Sequence, residues 1–251
     1  MNLLKNDPNL KIEYLTKSTL GDKDLKTPLS EMIKEGVFTD DLREDLIKNK
    51  CDIVVHSWKD LPLDLGQKTI IAGTLSRADQ RDIFFLKKNN ISKIKKNKKI
   101  SILSSSPRRI YNLESFIENY LPFQIKDINF VNIRGNIPTR LKKFINGSDD
   151  AFIVAKAALD RLLGNNLSEY KQLSEIIKKY IDKCLWTITP LSLNPTSPGQ
   201  GAIACEIKTG DILTKNIIKK INNPNDYKCV EKERKILENY GGGCHQKIGV
   251  S

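Results

Sequence analysis

The sequence predicts an α/β protein of two units, one inserted into the other, with a ligand cleft between them. Three observations predict it. Short apolar runs alternate along the chain with amphipathic helical patterns, as crossover connections require. The runs are apolar throughout, which suits strands buried on both faces, as in a parallel sheet. Two polar stretches, 76–82 (SRADQRD) and 189–199 (TPLSLNPTSPG), bracket the middle of the chain. Two linkers around one block describe an insertion, and the cleft between two such units is a common ligand site.

Taken in order, the expected strands are 52–56 (DIVVH), 100–104 (ISILS), 128–133 (INFVNI), 151–155 (AFIVA) and 201–207 (GAIACEI). Helical patterns cover 40–48, 107–120, 138–145, 169–181 and 226–239. Residues 1–79 with 190–207 are expected to form the first unit, 80–189 the inserted one, and 208–251 part of a small α+β third one. The lysine-rich stretch around 88–99 reads as a solvated loop.

Composition narrows the function. The formal net charge is +12, and nine of the 42 basic residues are arginines. Such a chain binds nucleic acid or a small polyanion, or is simply coated with lysine. Aromatic content is 7%, thin for stacking on single strands, so nucleic acid ranks last. No apolar run is long enough to span a bilayer, and the first residues lack the pattern of a signal peptide. A cytoplasmic protein without a membrane partner is expected. Five cysteines without a CxxC, and only two histidines, favour neither a disulfide framework nor a zinc site.

Five motifs could carry chemistry. In His56-Ser57-Trp58-Lys59-Asp60-Leu61-Pro62, a carboxylate follows an apolar strand into the cleft. Asp60 either meets a cationic or N–H-bearing reaction centre or belongs to an ion-paired surface turn. In Ser104-Ser105-Ser106-Pro107-Arg108-Arg109, Ser106 is a good N-cap and Pro107 suits the first helical position. Hydroxyls, free N–H groups and two arginines there make an anion site, against the alternative of plain capping. In 132–140 (NIRGNIPTR), Arg134 leaves a strand and Arg140 lies in the first turns of a helix, where the dipole does not favour it. Its partner is an anionic ligand or a protein carboxylate. In 196–202 (TSPGQGA), glycines permit unusual φ or close backbone approach. In 240–246 (YGGGCHQ), three glycines leave Cys244 on a cleared loop, which favours a reactive or modified thiol.

Together these motifs resemble those of the porphobilinogen deaminase (hydroxymethylbilane synthase) family. HSWKDLP is similar to HS-x-KD-x-P, SSSPRR to TSSLRR, IRGNIPTRL to LRGNVxTRL, SPGQGAIACE to VGQGAxGxE, and YGGGCHQKIG to LEGGCxxPxG. The order is the same, from about Thr19 to the last residue. The resemblance implies two domains like those of periplasmic binding proteins and a small third domain carrying the cysteine. It implies a dipyrromethane cofactor on a thioether to Cys244, extended by four porphobilinogen units with loss of ammonia and released as hydroxymethylbilane. A monomer is expected.

By the same resemblance, Asp60 is the catalytic carboxylate, meeting pyrrole N–H groups and stabilising positive charge as ammonia leaves. Arg108, Arg109, Arg134 and Arg140 bind acetate and propionate side chains, and Ser57, Lys59, Ser105, Ser106 and Gln200 line the same cleft. The polyanionic chain suits charge-assisted, bidentate arginine contacts. The sequence departs from the family pattern in three places. It starts after the RIATRxSxLA strand and helix, it carries Glu35 and Asp40 where lysines are usual, and it stops just after the cysteine loop. Truncation at both ends is the expectation. A non-catalytic binder of organic polyanions is the alternative reading.

Overall fold

The structure is a computed structural model that describes residues 10–17, 39–164, 168–241 and 247–250. Glu35 and Cys244 lie outside the described residues.

The strands form two sheets. The first has β1 (Val54–Ser57), β2 (Thr69–Thr74) and β8 (Ile203–Lys208) in the order β1-β8-β2, both pairings antiparallel. The second has β3 (Asp82–Lys87), β4 (Lys99–Leu103), β5 (Asp127–Val131), β6 (Ala151–Ala155) and β7 (Cys184–Ile188) in the order β5-β4-β6-β3-β7. The β5-β4-β6 pairings are parallel and the β6-β3-β7 pairings antiparallel. The expected parallel sheet is therefore corrected to one antiparallel and one mixed sheet. An apolar run reports burial on both faces and is silent on direction. Helices cover both faces here, so antiparallel strands acquire the same composition.

The helices are α1 (Asp40–Ile47), α2 (Ile91–Asn97), α3 (Pro107–Tyr120), α4 (Ile137–Asn146), α5 (Lys156–Leu163), α6 (Ser168–Ile181), α7 (Ile212–Lys219) and α8 (Pro224–Asn239). Alternate side chains of β3 feed two cores. Ile83 and Phe85 pack with Phe152, Leu141, Phe144, Leu159 and Ile177, from β6, α4, α5 and α6. Phe84 and Leu86 pack with Ile94, Leu113, Phe116 and Ile117, from α2 and α3. Ile94 is fully buried, so part of the lysine stretch read as a loop is the helix α2. Its lysines are solvated, while Ile91 and Ile94, one turn apart, hold it to the core.

The boundary expected at 208 moves. Ile218 of α7 packs with Cys205 and Ile207 of β8. Val230 of α8 packs with Ala204, on the other face of that strand, and with Trp58 and Leu61. Helices α7 and α8 are the two covers of the first sheet and not a separate unit. Among the described residues no helix is long and apolar enough to cross a membrane.

The chain passes from the first sheet to the second through 75–81 and returns through 189–202. The two passages are laced together. Ala78 N–H donates to Gly201 O at 3.2 Å. Gly201 has φ +87°, and a Cβ there would run into the carbonyl of Ala78. Close backbone approach, one of the two uses foreseen for these glycines, is thus made to protein.

Candidate functional site

Strand β1 runs into a single 3-10 turn, Trp58–Asp60. Trp58 is buried, with its ring 5.1 Å from that of Tyr227, and its N–H donates to Ala202 O at 3.1 Å. Arg234 of α8 donates to the carbonyls of Trp58, Leu61 and Pro62. This pinned indole leaves Lys59 half-buried and Asp60 exposed. His56 of the same motif is structural. Its Nε2 lies 2.8 Å from Glu206 Oε2, and Arg43 Nε donates to Glu206 Oε1 at 2.7 Å. Burial pushes the Glu206 carboxyl up, but bonds from His56, Thr69 and Arg43 outweigh it and hold the carboxyl below its usual range.

In the second unit, Ser106 caps α3, with Pro107 in its first turn and Arg109 N–H donating to Ser106 Oγ at 3.4 Å. Ser105 Oγ donates to Ile133 O and accepts from Ile133 N–H, both at 2.7 Å. One hydroxyl thus clips the β4–α3 turn to the β5–α4 turn. The second turn pivots on Gly135 at φ +113°. Asn136 caps α4 by accepting from Thr139 N–H at 2.9 Å. Arg140 folds back, Nε donating to Gly135 O at 2.5 Å.

The centre of the site is Asp82, at the end of a polar stretch that reads as a linker. It opens β3, is fully buried, and takes bonds from four residues. Arg109 donates Nε to Oδ2 (3.0 Å) and Nη2 to Oδ1 (2.7 Å). Arg108 donates Nη2 to Oδ2 (2.9 Å), Asn194 donates Nδ2 to Oδ2 (3.0 Å), and Gln200 donates Nε2 to Oδ1 (2.8 Å). Gln200 Oε1 accepts from Lys59 Nζ at 3.2 Å. A hydrogen-bonded line therefore runs from the turn after β1, through the returning passage, to the arginine pair of α3.

The two arginines differ. Arg108 has every nitrogen engaged: Nε with Ser197 Oγ, Nη1 with Asn194 Oδ1 and Pro195 O, and Nη2 with Asp82. Among the described residues these partners take four of its five N–H donors, which leaves one N–H of Nη2 for the ligand carboxylate expected there, too few for a bidentate contact. Arg109 makes no hydrogen bond from Nη1 among the described residues, so that edge can serve a ligand.

Electrostatics groups the remaining cations. Burial pushes Lys59 down to about 8, helped by Arg109 and Arg108 and opposed by Asp60 and Asp82. Burial and the charges of Arg109 and Arg134 push Arg140 down to about 10, against Asp60. Lys59, Arg109, Arg134 and Arg140 thus lie in one field, with the exposed Asp60 among them. Asp82 is buried behind, held far below the usual carboxylate range although burial alone would raise it, because Arg109 and Arg108 dominate. These four cations outnumber Asp60 and Asp82, an excess that an anion relieves. This donor set fits a linear polycarboxylate. Ser57 is half-buried at the start of the Lys59 turn and makes no capping bond. Asp40 is in the first turn of α1 beside Asp41, where the helix dipole favours acids.

The molecule is an α/β protein in which the five strands of a mixed sheet fall, in chain order, between the second and third strands of an antiparallel one, with Lys59, Arg108 and Arg109 tied to the passages that join them. A profile described as "Porphobilinogen deaminase, dipyromethane cofactor binding domain" matches residues 1–216. The porphobilinogen deaminase of Chlorobium phaeovibrioides is 34% identical over 247 residues, covering 98% of this chain and 71% of that protein. That of Clostridium acetobutylicum is 32% identical over 251 residues, covering 100% of this chain and 77% of that protein. The chain belongs to the porphobilinogen deaminase family. Among solved structures it is similar to the probable amino-acid ABC transporter extracellular-binding protein ytmK of Bacillus subtilis (14% identity, 94% of this chain, 83% of that chain, TM-score 0.41).

Proposed function

We propose that this chain polymerises four porphobilinogen units head-to-tail into hydroxymethylbilane with release of ammonia, using a dipyrromethane held by a thioether to Cys244. The observation that supports it most is the chain of charges in which Asp60 acts on Lys59 and Arg140, and both of these feel Arg109, with Arg134 beside Arg140. When bound, the dipyrromethane supplies an anchored primer for the growing chain. Arg109, through its free edge, with Arg134, Arg140 and Lys59, holds the acetate and propionate groups. Ser57 lines the same wall. Ser105, Ser106 and Gln200 position these cations: the serines set the arginine-bearing turns, and Gln200 ties Lys59 to Asp82. Asp60, exposed among cations, accepts pyrrole N–H groups and opposes the positive charge that develops as ammonia leaves. The two units are read as the walls of a cleft like that of periplasmic binding proteins.

Incubation of the purified protein with porphobilinogen tests this. Ammonia and hydroxymethylbilane should appear at four to one. Saturable binding with neither product would instead support a non-catalytic polyanion binder.

The cleft should also respond to pH in a defined direction. Lys59, with its value near 8, is charged below that pH and neutral above it, whereas Arg140 stays charged to about 10. The Kd for porphobilinogen, measured by calorimetry, should therefore rise between pH 7 and 9. Titration of this one group makes that up to about tenfold, within the range of one charge-assisted hydrogen bond. Lys59→Gln should flatten the profile, and a flat profile in the unaltered protein would contradict the assignment.

A further inference from the structure

The described residues flanking the Cys244 loop both end on one segment of the returning passage. On the near side, Glu233 of α8 accepts from Gly199 N–H at 2.9 Å and from both Nη groups of Arg77, at 2.5 and 2.9 Å. On the far side, Val250 N–H donates to Thr196 O at 2.8 Å. Gly249 lies so close to Pro195 that a Cβ would overlap its carbonyl. Lys247 Nζ sits 5.4 Å from the centre of the Tyr111 ring, on α3 of the second unit. Between the two sides is an open apolar cavity of about 410 Å³, walled by Pro195, Ile236, Tyr240, Ile248, Gly249 and Val250.

The same short segment also builds the arginine pair's support. Asn194 and Gln200 bind Asp82, and Ser197 and Pro195 O bind Arg108. Residues 249 and 250 and the Asp82–Arg109 pair therefore rest on the same segment.

We infer that Gly249 is a positioning residue. It seats the far end of the Cys244 loop on Pro195 and Thr196, and so couples the thiol's position to the segment that aims Arg109. The inference rests on the reading that Cys244 carries the cofactor. The residue at 249 has to lack a side chain because residues 249 and 250 rest on Pro195 and Thr196 by backbone contact, and a side chain there would press on the segment that also carries Asn194, Ser197 and Gln200.

The test uses the full chain prepared without cofactor and then given porphobilinogen. Loading forms a bond between the Cys244 sulfur and the aminomethyl carbon, while ammonia leaves with the thiol proton, and intact mass reports it. Gly249→Ala and Val250→Pro, which removes the N–H to Thr196 and also restricts the backbone at 249, are compared with the unaltered chain. Both should load about tenfold more slowly or worse, as misplaced reacting groups do. In a Cys244→Ser background, where no thiol reacts, Gly249→Ala should still weaken porphobilinogen binding about threefold or more, through Arg109. A merely local defect in the loop would leave that binding unchanged. If Gly249→Ala does not fold, Val250→Pro decides both measurements. Loading and binding at unaltered levels in the folded variants overturns the inference. Failure of the unaltered chain to load overturns the reading beneath it, and the inference with it.

Discussion

Asp82→Ala is expected to lower the unfolding free energy by about 3–5 kcal/mol, the cost of removing one partner from a buried ion-paired network. Arg108 and Arg109 would be left buried beside each other with Lys59 nearby, and the nearest remaining acid, Asp60, is exposed. Urea unfolding followed by circular dichroism measures the loss. Asp82→Asn is expected to do little better, since its amide nitrogen would face donors from Arg109 or Gln200. The sign with pH is also fixed. The folded-state pKa of Asp82 is depressed, so its contribution is complete above the unfolded value of about 3.9 and is lost as pH falls below it. Stability of the unaltered protein should fall below about pH 4 more steeply than that of Asp82→Ala. A stability change under about 1 kcal/mol in both variants would remove Asp82 from the centre of the account.

Asp60→Asn is expected to lower kcat for hydroxymethylbilane formation by about 10²–10³, the usual effect of removing one preorganised electrostatic group. Stability should be little changed, because Asp60 is exposed and the 3-10 turn is held by Trp58, Ala202 and Arg234 rather than by this carboxylate. A conservative Asp60→Glu separates charge from position. It should recover part of the rate if charge dominates and none if the distance to the reacting carbon does. An unchanged kcat in Asp60→Asn would assign the chemistry elsewhere.

The contrast between these two aspartates shows what the sequence made legible. Asp60 stands inside a motif, after an apolar strand, and its exposure follows from the burial of Trp58. Asp82 stands in SRADQRD, a run of polar residues that reads as linker, and its partners lie far along the chain, at Arg108, Arg109, Asn194 and Gln200. No local periodicity reports a carboxylate that gathers four distant donors. The available signal was a lone acid at the first position of DIFFLK, a run otherwise apolar until its last residue.

Arg108 and Arg109 show a second limit. Neighbours on a helix point about 100° apart, so one guanidinium is enclosed by the returning passage and the other keeps an edge toward the cleft. Composition cannot separate them. Strand direction was hidden for a similar reason: β3 and β6 are buried on both faces, and burial is the same for parallel and antiparallel neighbours. The start of α3, by contrast, is readable from Ser106 and Pro107. Helix α4 begins one residue before the expected start at 138, and the cap that starts it, Asn136, goes unread, as does Asp211 ahead of α7.

We propose that this group of cations works on a pyrrole chain anchored at Cys244. Intact-mass and peptide-mapping analysis of the protein, purified from cells that make porphobilinogen, tests it most directly. The account predicts added mass equal to two porphobilinogen units less two ammonia, confined to the peptide containing Cys244 and absent from Cys244→Ser. Folded protein of unmodified mass, or the same adduct on Cys51 or Cys229, would contradict it.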